Sequence, residues 1–393
     1  MYRGILKTCA LSIAALAFCT QAFALDNDIS IEFPSARTAA AGGTHVTVTD
    51  DLSSLFSNPA GFMSAEPQIS LAEISVGMRG PIFDIAGLVI QGMDQDFSAL
   101  LGSEAVLDLV SSLYAAADVL GPISFGYLGK GLGFGFFNTT DVTFSSNSPL
   151  TVTAMAGEQL TLAGGYAFRI PLSKENAHVL DLGVLLKGSL RGEVELTRTL
   201  LELPDLFSNI GFETVTDSPF KLISGIGVDA GVRYGYSDIF AAAVVGKDLY
   251  TPTMTQSYTT TNVFLENAED PSVSYGLVPI DLTAGVLFSP RLGVFGRFID
   301  DLRFTLDYTD ILDFLTHPES ASNPILHVSL GAELRILEIL MIRGGFNQGL
   351  FAAGLGLDLT IFGLNIAMYG TELSSEPGLR PVYNAQVGIN FRL

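Results

Sequence analysis

From Leu160 to Ile170 the chain alternates strictly. Leu160, Leu162, Gly164, Tyr166, Phe168 and Ile170 occupy one parity; Thr161, Ala163, Gly165, Ala167 and Arg169 occupy the other. The same period of two runs from Phe220 to Tyr234, with Lys221, Asp229 and Arg233 on the polar parity, and from Tyr383 to Leu393. A helix would space its apolar residues by three and four, so these segments predict strands with one apolar face. Counted along the chain, the pattern predicts fourteen strands at 68–79, 121–128, 132–145, 159–170, 178–196, 219–236, 239–250, 278–289, 301–310, 325–336, 339–347, 350–361, 363–373 and 382–393. The second, 121–128, carries the weakest alternation.

The connections alternate in length as well. Links after odd strands are mostly long (80–120, 197–218, 251–277), whereas those after even strands are mostly tight (129–131, 237–238, 337–338, 362). Barrels of the bacterial outer membrane have this asymmetry, with short periplasmic turns, longer external loops and an even strand number. Two long connections also carry helical stripes. One is Val106, Leu109, Val110, Leu113 and Ala117 within 103–119; the other surrounds Leu200, Leu201, Leu203, Leu206 and Phe207, with Pro204 as a helix start.

Composition narrows the class further. Of 393 residues 48% are hydrophobic and only 16% charged, yet no uninterrupted apolar run after residue 24 is long enough for a membrane helix. Apolar residues spread over one parity of many strands suit lipid on the outside and water or protein inside. The start of the chain has Arg3 and Lys7, an apolar run from Cys9 to Phe18, and Ala22-Phe23-Ala24. That order reads as an export signal over residues 1–24, cleaved after Ala24. Acylation of Cys19 is the alternative, disfavoured by the bulky Phe18 before it. Both cysteines, Cys9 and Cys19, lie in this segment, so the mature chain has no thiol chemistry. Its formal charge moves from −21 to −23 as Arg3 and Lys7 are lost, which excludes nucleic acid as a partner.

Enzymatic constellations are sparse. His45, His178, His317 and His327 are scattered, and no His pair has metal-ligand spacing. His327 and Ser329 share a strand face without a third group, and the acidic run Glu266–Asp270 reads as a solvated loop. No enzyme, metal or cofactor is expected.

Ahead of the strands stands Asp50-Asp51-Leu52-Ser53-Ser54-Leu55-Phe56-Ser57-Asn58-Pro59-Ala60-Gly61-Phe62. Leu52, Leu55 and Phe56 form an apolar stripe, Asp50 or Asp51 can cap a short helix, and Pro59 stops it. Asn58 can bond nearby backbone, and Gly61 permits a positive φ. An Asn-Pro-Ala motif at this offset, followed by fourteen strands, resembles the FadL family of outer-membrane long-chain fatty-acid transporters. The resemblance implies an all-β fold: a 14-stranded antiparallel transmembrane barrel over residues 67–393, plugged by a small helical hatch over residues 25–66. It departs at the last residue, Leu393, where an aromatic is usual, and in having no tryptophan.

The resemblance also implies passive uptake of long-chain fatty acids or similar hydrophobic molecules, by a monomer embedded in outer-membrane lipid, with lateral exit through the wall. A docking platform for proteins on the same scaffold is the alternative. Asn58, Pro59, Ala60 and Gly61 are then the hatch motif, and Phe56 and Phe62 are candidate ligand contacts. Asn138 and Thr140 interrupt the apolar parity of the third strand after a glycine-rich stretch, which makes them candidates for a lateral gate. On the inward parity, Lys187, Arg191, Arg233, Lys247, Arg303, Arg335 and Arg343 stand among acidic residues. Most should pair with those acids, and a cation left over could hold a carboxylate.

Overall fold

The computed structural model describes residues 33–81, 114–148, 151–173, 177–199, 215–293, 296, 299–316, 318 and 321–393. The export segment, the region 82–113 with most of the first helical stripe, and the stripe at 200–207 lie outside the described residues.

Strand segments are β1 (Gln68–Arg79), β2 (Tyr114–Leu120), β3 (Phe125–Gly129), β4 (Leu132–Ser148), β5 (Thr151–Pro171), β6 (His178–Thr199), β7 (Phe220–Tyr236), β8 (Phe240–Tyr250) and β9 (Pro252–Tyr258). They continue as β10 (Ser272–Leu277), β11 (Asp281–Phe288), β12 (Ile299–Tyr308), β13 (Val328–Ile336), β14 (Leu340–Asn347), β15 (Leu350–Leu359), β16 (Phe362–Glu372) and β17 (Pro381–Arg392). Short helices are α1 (Ala36–Ala40), α2 (Ser54–Ser57), α3 (Thr261–Glu266) and α4 (Asp313–Thr316). All pairings are antiparallel, and β1 pairs with β17 from Ser70–Arg392 to Met78–Ala385, so the sheet closes on itself. Three wall positions are each filled by two segments, β2 with β3, β8 with β9, and β10 with β11, which makes the closed barrel fourteen-stranded. Closure leaves no unpaired edge.

The outward parity is exposed and apolar, with Leu162, Tyr166, Leu186, Ile226, Phe351 and Leu355 among its members. A face of this kind is stable only against hydrocarbon, and the barrel is a membrane-spanning one of the outer-membrane kind. Among the described residues no helix is long and apolar enough to cross a membrane. Tight links join strands at one end, such as 337–339, where Leu337 and Glu338 take positive φ of 53° and 61° in a turn closed by the Ile339 amide, which donates to the Ile336 carbonyl at 3.3 Å. The opposite end carries the long connections.

Three elements differ from the pattern-based expectation. Residues 114–119, the end of the stretch 103–119 read as helical and the part that holds Ala117 of its stripe, belong to β2: between β1 and β4 the segment completes two ladders, which outweighs the helical spacing. The connection 251–277 is largely structured as β9, α3 and β10. These strands, PTMTQSY and SVSYGL, carry Ser and Thr on both parities, so apolar alternation fades there. The third strand runs unbroken as β4, and the interruption falls in the wall strand before it, between Leu120 and Phe125.

Residues 33–67 fold inside the barrel as a hatch. Leu52, Leu55, Phe56, Phe62 and Ala65 form one apolar cluster with Leu120, Leu128, Phe137, Ala163, Ala167 and Leu185 of the wall.

Candidate functional site

The Asn58 turn is built from local rules and then seated by the wall. Helix α2 ends at Ser57, and Asn58 is extended with φ −160° and ψ 112°, as a residue preceding proline prefers. Its side chain is buried and bonded at both polar atoms: Oδ1 accepts from the Ala60 amide at 3.0 Å, and Nδ2 donates to the Val46 carbonyl at 3.1 Å. Pro59 opens a 3₁₀ turn over Pro59–Met63 in which the Gly61 amide donates to the Asn58 carbonyl at 3.0 Å. Gly61 does not take a positive φ; what demands glycine is Thr49, whose Cγ2 would lie 2.6 Å from a Cβ there. Nor does Asp50 or Asp51 cap α2 directly. Ser53 is the N-cap, Asp51 accepts from the Ser53 amide at 3.1 Å, and Asp50 turns to arginines.

Two cross-strand glycine pairs receive the hatch. Gly183 of β6 faces Gly231 of β7. A Cβ on Gly183 would overlap the backbone of Pro59 and Ala60, and one on Gly231 would overlap Asn58 Oδ1. On the other side of the lumen, Gly331 of β13 faces Gly345 of β14, and their missing side chains admit Ala41 and Gly42. Inward-facing paired glycines on adjacent strands are legible in the sequence once the register is known, and the sequence reading passed over them.

The second seat is ionic. Arg37 Nη2 lies 2.9 Å from both Asp50 Oδ2 and Glu333 Oε1, and Nη1 lies 3.2 Å from Asp51 Oδ2. Arg303 pairs with Asp50 and Asp301, while Arg343 Nε meets Glu333 Oε2 at 2.5 Å and donates to Asn365 Oδ1 at 2.7 Å. Burial alone would lower the Arg37 guanidinium, but Glu333, Asp50 and Asp51 outweigh it and hold it above its ordinary value. Burial would likewise raise Asp50, and Arg303 with Arg37 instead hold its carboxyl well below the usual carboxylate range. Both groups therefore stay charged.

The remaining lumenal cations divide. Lys187 is buried between Asp229 at 3.0 Å and Asp248 at 2.9 Å, and Arg191 is taken by Asp141 at 2.5 Å and Glu193 at 3.1 Å. Arg233 lies 3.8 Å from Asp181 and donates to Ser64 Oγ at 2.8 Å, tying the end of the hatch to β7. Arg335 has no ion pair among the described residues and lies outside the cavity described next. Lys247 reaches His45 Nε2 of the hatch at 3.2 Å. Burial first, then Lys247, push the His45 imidazole below its ordinary value.

Above the hatch, towards the long connections, lies a cavity of about 430 Å³. Phe33, Phe56, His45 and Ser53 of the hatch contribute to its lining, and Lys247, Arg79, Tyr114, Tyr369 and Asn384 contribute from the wall. Phe56 stacks on Phe33 at 5.8 Å and meets Phe137 edge-on at 5.2 Å, which joins this floor to the apolar cluster below. Phe62 lies deeper, fully buried, with its carbonyl accepting from the Gly131 amide at 2.9 Å.

The interruption in the second wall strand sits against that cluster. Leu120 and Leu128 on its two sides belong to the cluster, while Ile123 between them is exposed on the outside. Asn138 of β4 fills the gap in the ladder: it donates through Nδ2 to the Gly121 carbonyl at 3.1 Å, accepts at Oδ1 from the Ile123 amide at 3.0 Å, and accepts at its own carbonyl from the Gly121 amide at 2.9 Å. Outside the barrel, Asn138 and Thr140 both donate to Glu158 of β5. A buried asparagine is thus supplying the backbone partners that a continuous strand would have offered.

Elsewhere, His327 Nε2 meets Asp313 at 3.1 Å, but the Ser329 hydroxyl donates to Asn347 at 3.2 Å, away from the histidine. Among the described residues no three His, Cys, Asp or Glu side chains converge as a metal site.

No family model matches the chain, and no curated protein matches it. Among solved structures the chain is similar to the toluene transporter TbuX of Ralstonia pickettii, at 10% identity over 92% of this chain and 98% of that one, with a TM-score of 0.49. It is similar also to the toluene transporter TodX of Pseudomonas putida, at 10% identity over 93% and 98% with a TM-score of 0.39. A FadL homologue of Pseudomonas aeruginosa is similar at 10% identity over 92% and 99%, with a TM-score of 0.42.

Proposed function

We propose that this barrel admits hydrophobic molecules across the outer membrane passively, from the cavity above the hatch to the interruption between β2 and β3, where they leave sideways into the bilayer. The observation that carries this reading is the continuity of apolar surface. Phe33 and Phe56 floor the cavity and meet Phe137 edge-on, and Phe137 shares one apolar cluster with Leu120 at the inner side of the interruption. A molecule moving along such a surface keeps its own apolar area out of water, at roughly 25 cal/mol per Å². A water-filled pore would forfeit that gain, and the seated hatch leaves little room for one. Asn138 then acts as the latch of the opening, since its three bonds hold Gly121 and Ile123 in the wall. Long-chain fatty acids or similar hydrophobic molecules are the expected cargo.

The test uses a chain without mature cysteines. Glu73 of β1 and Ser124 at the interruption are bridged by a backbone hydrogen bond of 2.9 Å, so Glu73→Cys with Ser124→Cys can be oxidised to staple the opening. In proteoliposomes, uptake of a hydrophobic substrate should stop on oxidation and return on reduction. Uptake that continues through the stapled barrel refutes sideways exit at this position.

A further inference from the structure

We propose that the outer edge of β10 takes up an extended, basic peptide segment of a second protein as an added antiparallel strand. The inference is separate from the uptake reading and gives the end of the barrel with the long connections a binding role of its own.

The first ground is an open edge. Closure removes the edge from the barrel itself, but β12 ends at Tyr308, opposite Ala284 of β11. The residues after it reach only Asp281 and Leu282, through the amides of Asp310 and Ile311. Beyond that point β10 pairs with β9 alone among the described residues. The Val278 amide donates to the Thr251 carbonyl at 3.0 Å, in the same register that pairs Leu277 with Pro252 and Ser272 with Ser257. Antiparallel ladders alternate, so the amides and carbonyls of Ser272, Ser274 and Gly276 point to β9, and those of Val273, Tyr275 and Leu277 point away. Pro252 has no N–H, and in this phase the ladder to β10 asks for none. The groups of Val273, Tyr275 and Leu277 that point away have no hydrogen-bond partner among the described residues. Hydrocarbon does not tolerate such an edge, so it is presented to water.

The second ground is that nothing blunts this edge. Exposed edges are commonly protected by lysine, proline or an inward charge, and Ser-Val-Ser-Tyr-Gly-Leu has none of these. Tyr275 is 68% exposed and Val273 46%, on the face they share with Met254 of β9. Strand addition takes its affinity from the main chain and its specificity from alternate side chains, here an apolar face backed by serines.

The third ground is charge. Glu266 at the end of α3, then Glu269 and Asp270, are exposed and have no ion pair among the described residues, while Lys221 is taken by Glu193 and Glu195. Asp270 precedes β10 directly but for Pro271, so these acids stand at the outer end of the edge. A strand antiparallel to β10 runs outward and brings its C-terminal end to them, which is where basic residues find complementary charge. A second copy does not meet these demands. Upright barrels in one membrane both run β10 from the outside inward, so their edges cannot pair antiparallel, and side by side they would set acids against acids.

The experiment follows the fluorescence anisotropy of the labelled peptide Thr-Val-Thr-Val-Thr-Val-Gly-Lys-Lys-Lys with the purified mature chain in detergent, heat-shifted electrophoretic mobility reporting a closed barrel for each variant. Valines laid on the face of Tyr275 turn their own amides to β10. N-methylation of the valine amides should therefore weaken binding more than tenfold, whereas N-methylation of the threonine amides should leave it intact. Val273→Pro removes an edge-facing donor without touching the ladder to β9 and should also cost more than tenfold, while Val273→Ala keeps binding within about threefold. Glu266→Gln with Glu269→Gln and Asp270→Asn should weaken it about fivefold. Equal affinity for the two methylated peptides, unchanged binding in Val273→Pro, or no binding by the native chain overturns the inference. A native chain that is dimeric by light scattering and monomeric as Val273→Pro gives the edge to a second copy, and overturns it as well.

Discussion

The hatch is held to the wall at two seats that look alike and work differently. Each rests on a cross-strand glycine pair, Gly183 with Gly231 on one side and Gly331 with Gly345 on the other. At the first, backbone and a neutral amide fill the space: Asn58, Pro59 and Ala60 approach so closely that no side chain fits beneath them. At the second, the hatch contributes ions, and Arg37, Asp50 and Asp51 interlock with Glu333 and Arg303. Steric seating is indifferent to salt and pH. Ion pairs partly open to solvent are screened and can exchange partners, so the ionic seat is the one that solution conditions can weaken.

The comparison is broken most forcefully by filling a glycine. Gly231→Leu drives a side chain into Asn58 and should destabilise the seated hatch by about 3 kcal/mol, the upper range for overpacking. The readout is thiol labelling of a reporter at Ser57→Cys, a buried position that should become reactive. Arg37→Met strips three carboxylates of their shared partner and should cost about 2–3 kcal/mol; Arg37→Met with Asp51→Asn should recover part of that, because Asp51 has no other ion pair among the described residues, whereas Asp50 keeps Arg303 and Glu333 keeps Arg343. If the double variant is worse than the single one, the seat is not held by mutual charge satisfaction. Asn58→Ala leaves the Ala60 amide and the Val46 carbonyl without partners and should cost about 2 kcal/mol, unaffected by salt, whereas the Arg37 contribution should shrink in 1 M salt.

The smallest effect is a dependence on pH through His45, which faces Lys247 from β8, Asp307 from β12 and Asp281 from β11. Its folded value is lowered, so below the ordinary histidine range the unseated form binds more protons than the seated one. Seating is therefore at full strength at neutral and higher pH and weakens as pH falls from about 6.5. Labelling of the Ser57→Cys reporter should rise over that interval and stay flat in His45→Gln. A rise that persists in His45→Gln assigns the effect to other groups.

Much of the barrel was legible because alternation is local. Leu160 to Ile170 can face lipid on one parity only if the segment is a strand, and fourteen such positions close without an edge. The Asn58 turn was legible for a similar reason, since Asn, Pro and the residue between helix and turn obey short-range rules. The failures were of another kind. Residues 114–119 close a stretch, 103–119, that reads as helical, but two neighbouring strands impose a ladder on them. Asn138 was visible as a polar break in an apolar row, while the strand it serves is the one beside it.

The alternation by itself determined the barrel, its inside and its outside, because a residue's parity depends only on its neighbours in the chain. The tertiary structure decided which charge answers which. Arg37 meets Glu333 across 296 positions, and Lys247 meets a histidine 202 positions earlier, while Lys187, Arg191, Arg233, Arg303 and Arg343 find acids. Those choices follow from barrel closure and from where the two glycine pairs allow the hatch to rest. No local pattern carries them, since ions that pair and ions that stay available look the same on the inward parity of a strand.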